Sequence, residues 1–155
     1  MNHRVHTARS VATTFDPAGS LLRPGQTCWR LARADRFAVV IDAAAYFSLV
    51  RDALLRARHS VLFIGWEFDT RIRLDPDHPL PDMPDRLGAF LSALVERHPG
   101  LSIHVLQWRL GLLGALVRGT TPLDLLNWLS KRRFHFRLDS HHPRGASHHQ
   151  KVVVV

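Results

Sequence analysis

Apolar positions along this chain change period several times, and each change marks an element. Residues 36–41 form a short, largely apolar run that reads as a strand. Asp42 follows it, placed to cap a helix in which Tyr46, Phe47, Val50, Leu54 and Ala57 recur at helical spacing. Arg51, Arg56 and Arg58 occupy other faces of that helix, two of them near its carboxyl end, where the dipole favours cations. Residues 60–66 are apolar on both faces and read as a central strand. Strand, helix and strand in this order predict a βαβ unit with residues 36–41 and 60–66 paired in parallel.

The second half continues the alternation. Residues 67–83 gather Glu67, Asp69, Asp75, Asp77, His78 and Asp82 among four prolines. No spacing there matches an ion-binding loop, so the segment reads as a solvated connection. Pro84 suits the first turn of a helix whose Leu87, Phe90, Leu91, Leu94 and Val95 repeat at i, i+3, i+4, i+7 and i+8, and Pro99-Gly100 ends it. Residues 101–108 alternate as a strand with Ser102 and His104 on the less apolar face. Thr121-Pro122-Leu123-Asp124 is a helix start, with Leu125, Leu126 and Leu129 as its buried face. Lys131, Arg132 and Arg133 crowd its end, as a phosphate contact or as charges complementing the helix terminus. Phe134, Phe136 and Leu138 form the buried face of a further strand. Together these elements predict an α/β fold: a mixed sheet with helices on both faces.

Composition narrows the class only slightly. The chain of 155 residues is long enough for one ordinary domain, and 46% apolar residues argue against general disorder. Net charge is +8, from 19 Arg and 2 Lys against 13 acids. A basic balance favours anionic partners: phospholipid headgroups, an anionic membrane surface or nucleic acid. An Arg-rich, Lys-poor chain is also what GC-rich coding produces, so charge alone does not choose between lipid and DNA. The single cysteine, Cys28, excludes an intrachain disulfide framework. Neither a signal-peptide run at the amino terminus nor a stretch of roughly 20 apolar residues is present, so a cytoplasmic location, peripheral to the inner face of the membrane at most, is expected.

The candidate chemistry lies in the last nine residues, 147–155. His149 and Lys151 are two apart, so in an extended chain they project to one face while Gln150 points away. That couples a nitrogen able to attack or accept a proton with an ammonium able to grip an anion. Four consecutive valines behind them, Val152 to Val155, suit a strand buried on both faces, flanked by neighbours on both sides. Histidine with lysine suits attack on a phosphate ester. His148 points to the opposite face from His149, and Ser147 lacks the glycine elbow of a nucleophilic serine.

His149-x-Lys151, within the longer run from Asp139 through His141, His142, Pro143, Gly145, Ala146, Ser147 and His148 to Gln150, resembles the phospholipase D superfamily signature of histidine-x-lysine-x4-aspartate. The run is similar to bacterial phospholipase D and cardiolipin-synthase-like members. Residues 41–47 leading to Gly65, Trp66, Glu67, Phe68 and Asp69 also resemble the family, so the likeness covers most of residues 28–155. Arg109 departs from it, standing where family members often carry an acid. The resemblance implies a phospholipase D-like sandwich over 28–155, preceded by a loosely ordered arm over 1–27. It implies His149 as nucleophile, Lys151 on the non-bridging oxygens, no metal and no cofactor. A second such motif, from another part of the chain or another subunit, would supply the general acid. The signature's aspartate would fall at position 156, so the resemblance further implies the amino-terminal piece of a longer protein. The substrates implied are phospholipid diesters, with DNA or RNA diesters, or a truncated product without activity, as alternatives.

Overall fold

A computed structural model describes residues 6–7, 20–65, 68–108, 132–141 and 149–155. The chain divides into two compact units, residues 1–45 and 46–155.

In the first unit, β1 (His6–Thr7) pairs antiparallel with β2 (Ala38–Val39). The expected parallel pairing of residues 36–41 with residues 60–66 therefore does not form. Only Ala38 and Val39 of that run are strand, and Phe37, Val39 and Ile41 are all more than half exposed. The run is apolar in composition but too short and too exposed to take a place in a sheet interior. The turn signalled by Pro24-Gly25 is present: Gly25 sits at φ 79°, and the Gln26 and Thr27 amides donate to the Arg23 carbonyl at 3.0 and 2.9 Å. Asp42 caps α1 (Ala43–Arg56) as its position predicted, its Oδ1 accepting the Ala45 amide at 2.8 Å.

The second unit is built on a four-stranded mixed sheet in the order β5-β4-β3-β6: β5 (Phe134–Asp139), β4 (Ser102–Trp108), β3 (Ser60–Gly65) and β6 (Val152–Val154). β3, β4 and β5 run parallel, and β6 runs antiparallel to β3. The βαβ unit lies one step later than the sequence pattern suggested: β3, α2 (Leu87–Arg97) and β4 form it. β3 is interior, as its two apolar faces required.

Register assigns the faces. Phe63 stands between Val105 and Val153, and Ile103 beside Val61 and Phe134, so these side chains share one face. Against that face pack Leu54 of α1, Ala57 just after it, and Phe90, Leu91, Leu94 and Val95 of α2, in one core cluster. Every apolar position assigned to α2 by its spacing is buried. Truncating a fully buried member such as Leu91 or Phe90 to alanine costs about 2–5 kcal/mol. The opposite face carries Leu62, Ile64, His104, Leu106, His135 and Val152, none of them fully buried. Both described helices serve the first face, and the helix expected from Thr121 lies outside the described residues.

Three finer expectations are corrected. Pro84 precedes α2 instead of opening it, since the helix begins at Leu87 after Arg86. Leu138 is 39% exposed and is not part of the buried face of β5. Residues 67–83 are not a merely solvated connection: Thr70, Leu74, Asp75 and Met83 are buried. The valine strand, expected to have neighbours on both sides, has β3 on one side and, among the described residues, no strand on the other. Its Val152, Val154 and Val155 are 43–52% exposed, and Val153 alone packs on the core.

Arg133 of the basic run serves a helix other than the one it was expected to complement. Its Nη1 donates to the Val95 and His98 carbonyls, the latter at 2.8 Å, closing the carboxyl end of α2. It serves that helix terminus and leaves Lys131, outside the described residues, with no role assigned.

Candidate active site

Val153 fixes where the preceding residues go. Its side chain packs into the core opposite Phe63, so alternation sends Lys151 toward the same side and Gln150 toward the other. Lys151 does line a cavity of about 260 Å³ on the core side. Gln150 lines a much smaller gap with Ile64, Leu106, Trp108 and Asp139.

The larger cavity sits at the carboxyl ends of the parallel strands β3 and β4, where ligands bind in open parallel sheets. Phe63, Ile64 and Gly65 of β3 and Val105 and Leu106 of β4 form its floor. Tyr46, Phe47 and Val50 of α1 and Leu87 of α2 stand on one side, and Phe68, Ile72 and Leu74 of the following loop on another. Phe63 and Phe68 meet edge to face at 5.2 Å, which holds the loop's first turn against β3. Apart from Tyr46, whose ring carries a hydroxyl, and the charged Lys151 and Asp69, the lining side chains are apolar.

Those two charges differ in how they are engaged. Asp69 receives Arg71 Nε at 2.9 Å and Nη2 at 2.8 Å in a two-pronged pair, and the Arg71 amide at 2.9 Å. The hydrogen bond from the guanidinium holds the Asp69 carboxyl below its usual range despite partial burial. Lys151 is exposed and lines the cavity, with its Nζ 3.5 Å from the His149 carbonyl, at the outer limit of a hydrogen bond. His149 is exposed and does not line the cavity. Both candidate residues stand in non-repetitive chain just before β6, not inside the strand.

Loop 68–86, which walls the cavity, is tied down by ions. Arg51, 8% exposed, places Nη2 3.1 Å from Asp75 Oδ2 and donates through Nη1 to the His78 carbonyl at 2.7 Å. Asp75 also meets His78 Nδ1 at 3.1 Å, while its amide donates to Asp85 Oδ1 at 2.8 Å. Asp85 Oδ2 in turn accepts Arg73 Nε at 2.8 Å. Burial pushes the Asp75 carboxyl up, but hydrogen bonds from Ser48 and His78 and the Arg51 charge outweigh it, and the carboxyl titrates below its usual range. Of the acids gathered in this segment, Asp69 and Asp75 are paired with arginines; among the described residues no cluster could hold a metal.

Sequence reasoning assigned no role to Asp69 or Arg71. The available signal was position: Asp69 follows the carboxyl end of a central strand, inside a stretch that carried the family resemblance. Ser147, His148 and Arg109 lie outside the described residues. No helix among the described residues is long and apolar enough to cross a membrane.

No protein-family model matches the chain. It is similar to phospholipase D B of Dictyostelium discoideum, at 24% identity over 116 residues. The matched part is 74% of this chain and 9% of that relative's length. This similarity supports a phospholipase D-like relationship for a chain with a mixed α/β sheet.

Proposed function

We propose that this chain carries one half of the active site of a phospholipase D-like phosphodiesterase or phosphatidyltransferase acting on phospholipid diesters. The observation that supports it most is Lys151, a cation lining a largely apolar cavity at the carboxyl ends of β3 and β4, with His149 two residues before it. In this reading a ring nitrogen of His149 attacks phosphorus, the bond from phosphorus to one esterified alcohol breaks, and a phosphohistidine remains. Lys151 holds the non-bridging oxygens, whose charge the transition state redistributes. A second histidine-x-lysine motif, from a longer chain or another subunit, gives its proton to the departing alkoxide. Water or an alcohol then attacks the same phosphorus, the phosphorus–nitrogen bond breaks, and the incoming hydroxyl's proton returns to the second motif. The product is a phosphatidic acid or a new diester. The scheme uses no metal and no cofactor.

A cytoplasmic protein resting on an anionic membrane surface belongs to the same reading, and the net charge of +8 suits it. Nucleic-acid diesters remain the competing substrate class, since charge alone serves both. The test is release of headgroup alcohol from phospholipid vesicles by the product of the full reading frame. The reading expects turnover with the natural sequence, none with His149→Ala, and none from residues 1–155 alone. Turnover that survives His149→Ala, or that appears on DNA and not on vesicles, contradicts it.

A further inference from the structure

We propose that the loop over residues 21–30, in the first unit, docks this chain on an anionic lipid bilayer. Leu21, Leu22 and Trp29 enter the headgroup layer, and Arg23 and Arg30 meet lipid phosphates. The inference goes beyond the phosphodiesterase reading, which names a membrane but no surface that meets it, and it stands or falls without that chemistry.

Three observations carry it. Trp29 and Leu21, at 90% and 86%, are the most exposed large apolar side chains among the described residues, and Leu22 is more than half exposed. Tryptophan favours the membrane–water boundary, where its ring is half in apolar surroundings. Charge is the second. Residues 20–41 hold Arg23, Arg30, Arg33 and Arg36 against one acid, Asp35, and that acid pairs with Arg33 at 3.3 Å. The Arg30 guanidinium lies 5.8 Å from the centre of the Trp29 ring, so cation and aromatic reach the same layer together.

The third is the backbone. A loop enters a headgroup layer cheaply only if its polar groups are already paired. Here the amides of Gln26, Thr27 and Cys28 donate to the Arg23 carbonyl, and the Gly25 amide donates to the Cys28 carbonyl at 2.8 Å. The Thr27 hydroxyl accepts the Arg23 amide at 2.7 Å and donates to the Leu21 carbonyl. This closure sets Leu21-Leu22 at one end of a single turn and Trp29-Arg30 at the other. Nucleic acid would match the arginines and Trp29, but the two leucines offer its bases no face to stack on. A second copy docked on this loop by a twofold would set Arg23 and Arg30 against their own like charges.

Flotation of the 155-residue chain with vesicles tests this, since lipid-bound chain rises while self-associated chain sinks. The natural chain is expected to float with vesicles of equal parts phosphatidylcholine and phosphatidylserine, and not with phosphatidylcholine alone. On the anionic vesicles its tryptophan emission should shift to shorter wavelength, a shift absent from Trp29→Ala. Trp29→Ala should weaken partitioning about tenfold, as loss of one large buried side chain does. Arg23→Gln with Arg30→Gln should weaken it about thirtyfold, at about fivefold per arginine. Arg56→Gln with Arg137→Gln removes the same charge from exposed positions in the second unit and should cost far less. Equal loss from the two double variants, or equal flotation on both kinds of vesicle, overturns the proposal. So does retention on single-stranded DNA that Trp29→Ala abolishes in a chain that does not float. The two readings fail separately. Loop-dependent flotation without any phosphohistidine in the full-reading-frame protein leaves the docking surface standing. Turnover of a short soluble diester by a protein that does not float does the reverse.

Discussion

Arg51 and Asp75 form a buried ion pair of 3.1 Å that joins the middle of α1 to the loop walling the cavity. Neither partner is more than a tenth exposed, so each depends on the other to offset its lost hydration. Removing one partner leaves a charge without its counter-ion. Arg51→Ala is expected to cost about 3–5 kcal/mol in urea unfolding, as broken buried pairs do. The double variant Arg51→Met/Asp75→Leu should recover much of that loss. Equal destabilisation in both variants would show that the pair acts through packing and not through charge.

Acid should weaken the fold in two stages. The first comes from His104, which burial, and then the neighbouring His135 charge, hold below its usual range. The two rings stack at 4.6 Å on the sheet face opposite the core cluster. A depressed histidine binds its proton in the unfolded chain before the folded one, so its contribution is whole above about pH 6.5 and is lost as pH falls below that. The second stage comes from Asp69 and Asp75, both depressed, whose contributions are present above the unfolded value of 3.8 and are lost as pH falls toward their folded values. Urea midpoints between pH 8 and pH 3 check both. His104→Gln should flatten the upper stage and leave the lower one.

The edge of β6 should make the isolated chain self-associate. Val152, Val154 and Val155 are exposed, uncharged and adjacent, on a strand paired on one side among the described residues. Val154→Lys places a charge on that edge at a position 52% exposed, where substitution moves stability by no more than about 0.5 kcal/mol. Sedimentation velocity is expected to show association of the natural chain and a more nearly monomeric variant. A natural chain that is monomeric throughout contradicts the account of this edge.

Much of the fold was legible because its signals are local. The spacing of Leu87, Phe90, Leu91, Leu94 and Val95 gave the buried face of α2, and alternation over residues 101–108 gave β4. Asp42 announced its cap. What was not legible depends on partners distant in sequence. Nothing in residues 36–41 says that they pair with His6 and Thr7 instead of residues 60–66. The burial of Leu74 and Asp75 follows from Arg51, 24 residues upstream, and the use of Arg133 from the terminus of α2. The four valines read as a strand, but whether a strand is central is set by its neighbours and not by its own residues. At the site, the spacing of His149 and Lys151 was visible, whereas the cavity that Lys151 lines is made by six separate elements and existed only once they had packed.

Lys151 should matter through charge at the site and little through stability, since it is exposed and precedes the strand. In the product of the full reading frame, Lys151→Met is expected to lower kcat by about 10²–10³, the usual loss when one charge-stabilising donor is removed. Its melting temperature should be unchanged. A variant that loses stability in step with activity would assign Lys151 a structural role instead.

The central claim, that His149 bonds to phosphorus, is tested most directly by trapping the intermediate. The full-reading-frame protein, mixed with a phospholipid diester and quenched in alkali during turnover, should carry an acid-labile phosphoryl group that mass spectrometry places on His149. His149→Asn should carry none and should not turn over. Turnover with no phosphoryl group on His149, or the same group trapped in the His149→Asn protein, would contradict the account.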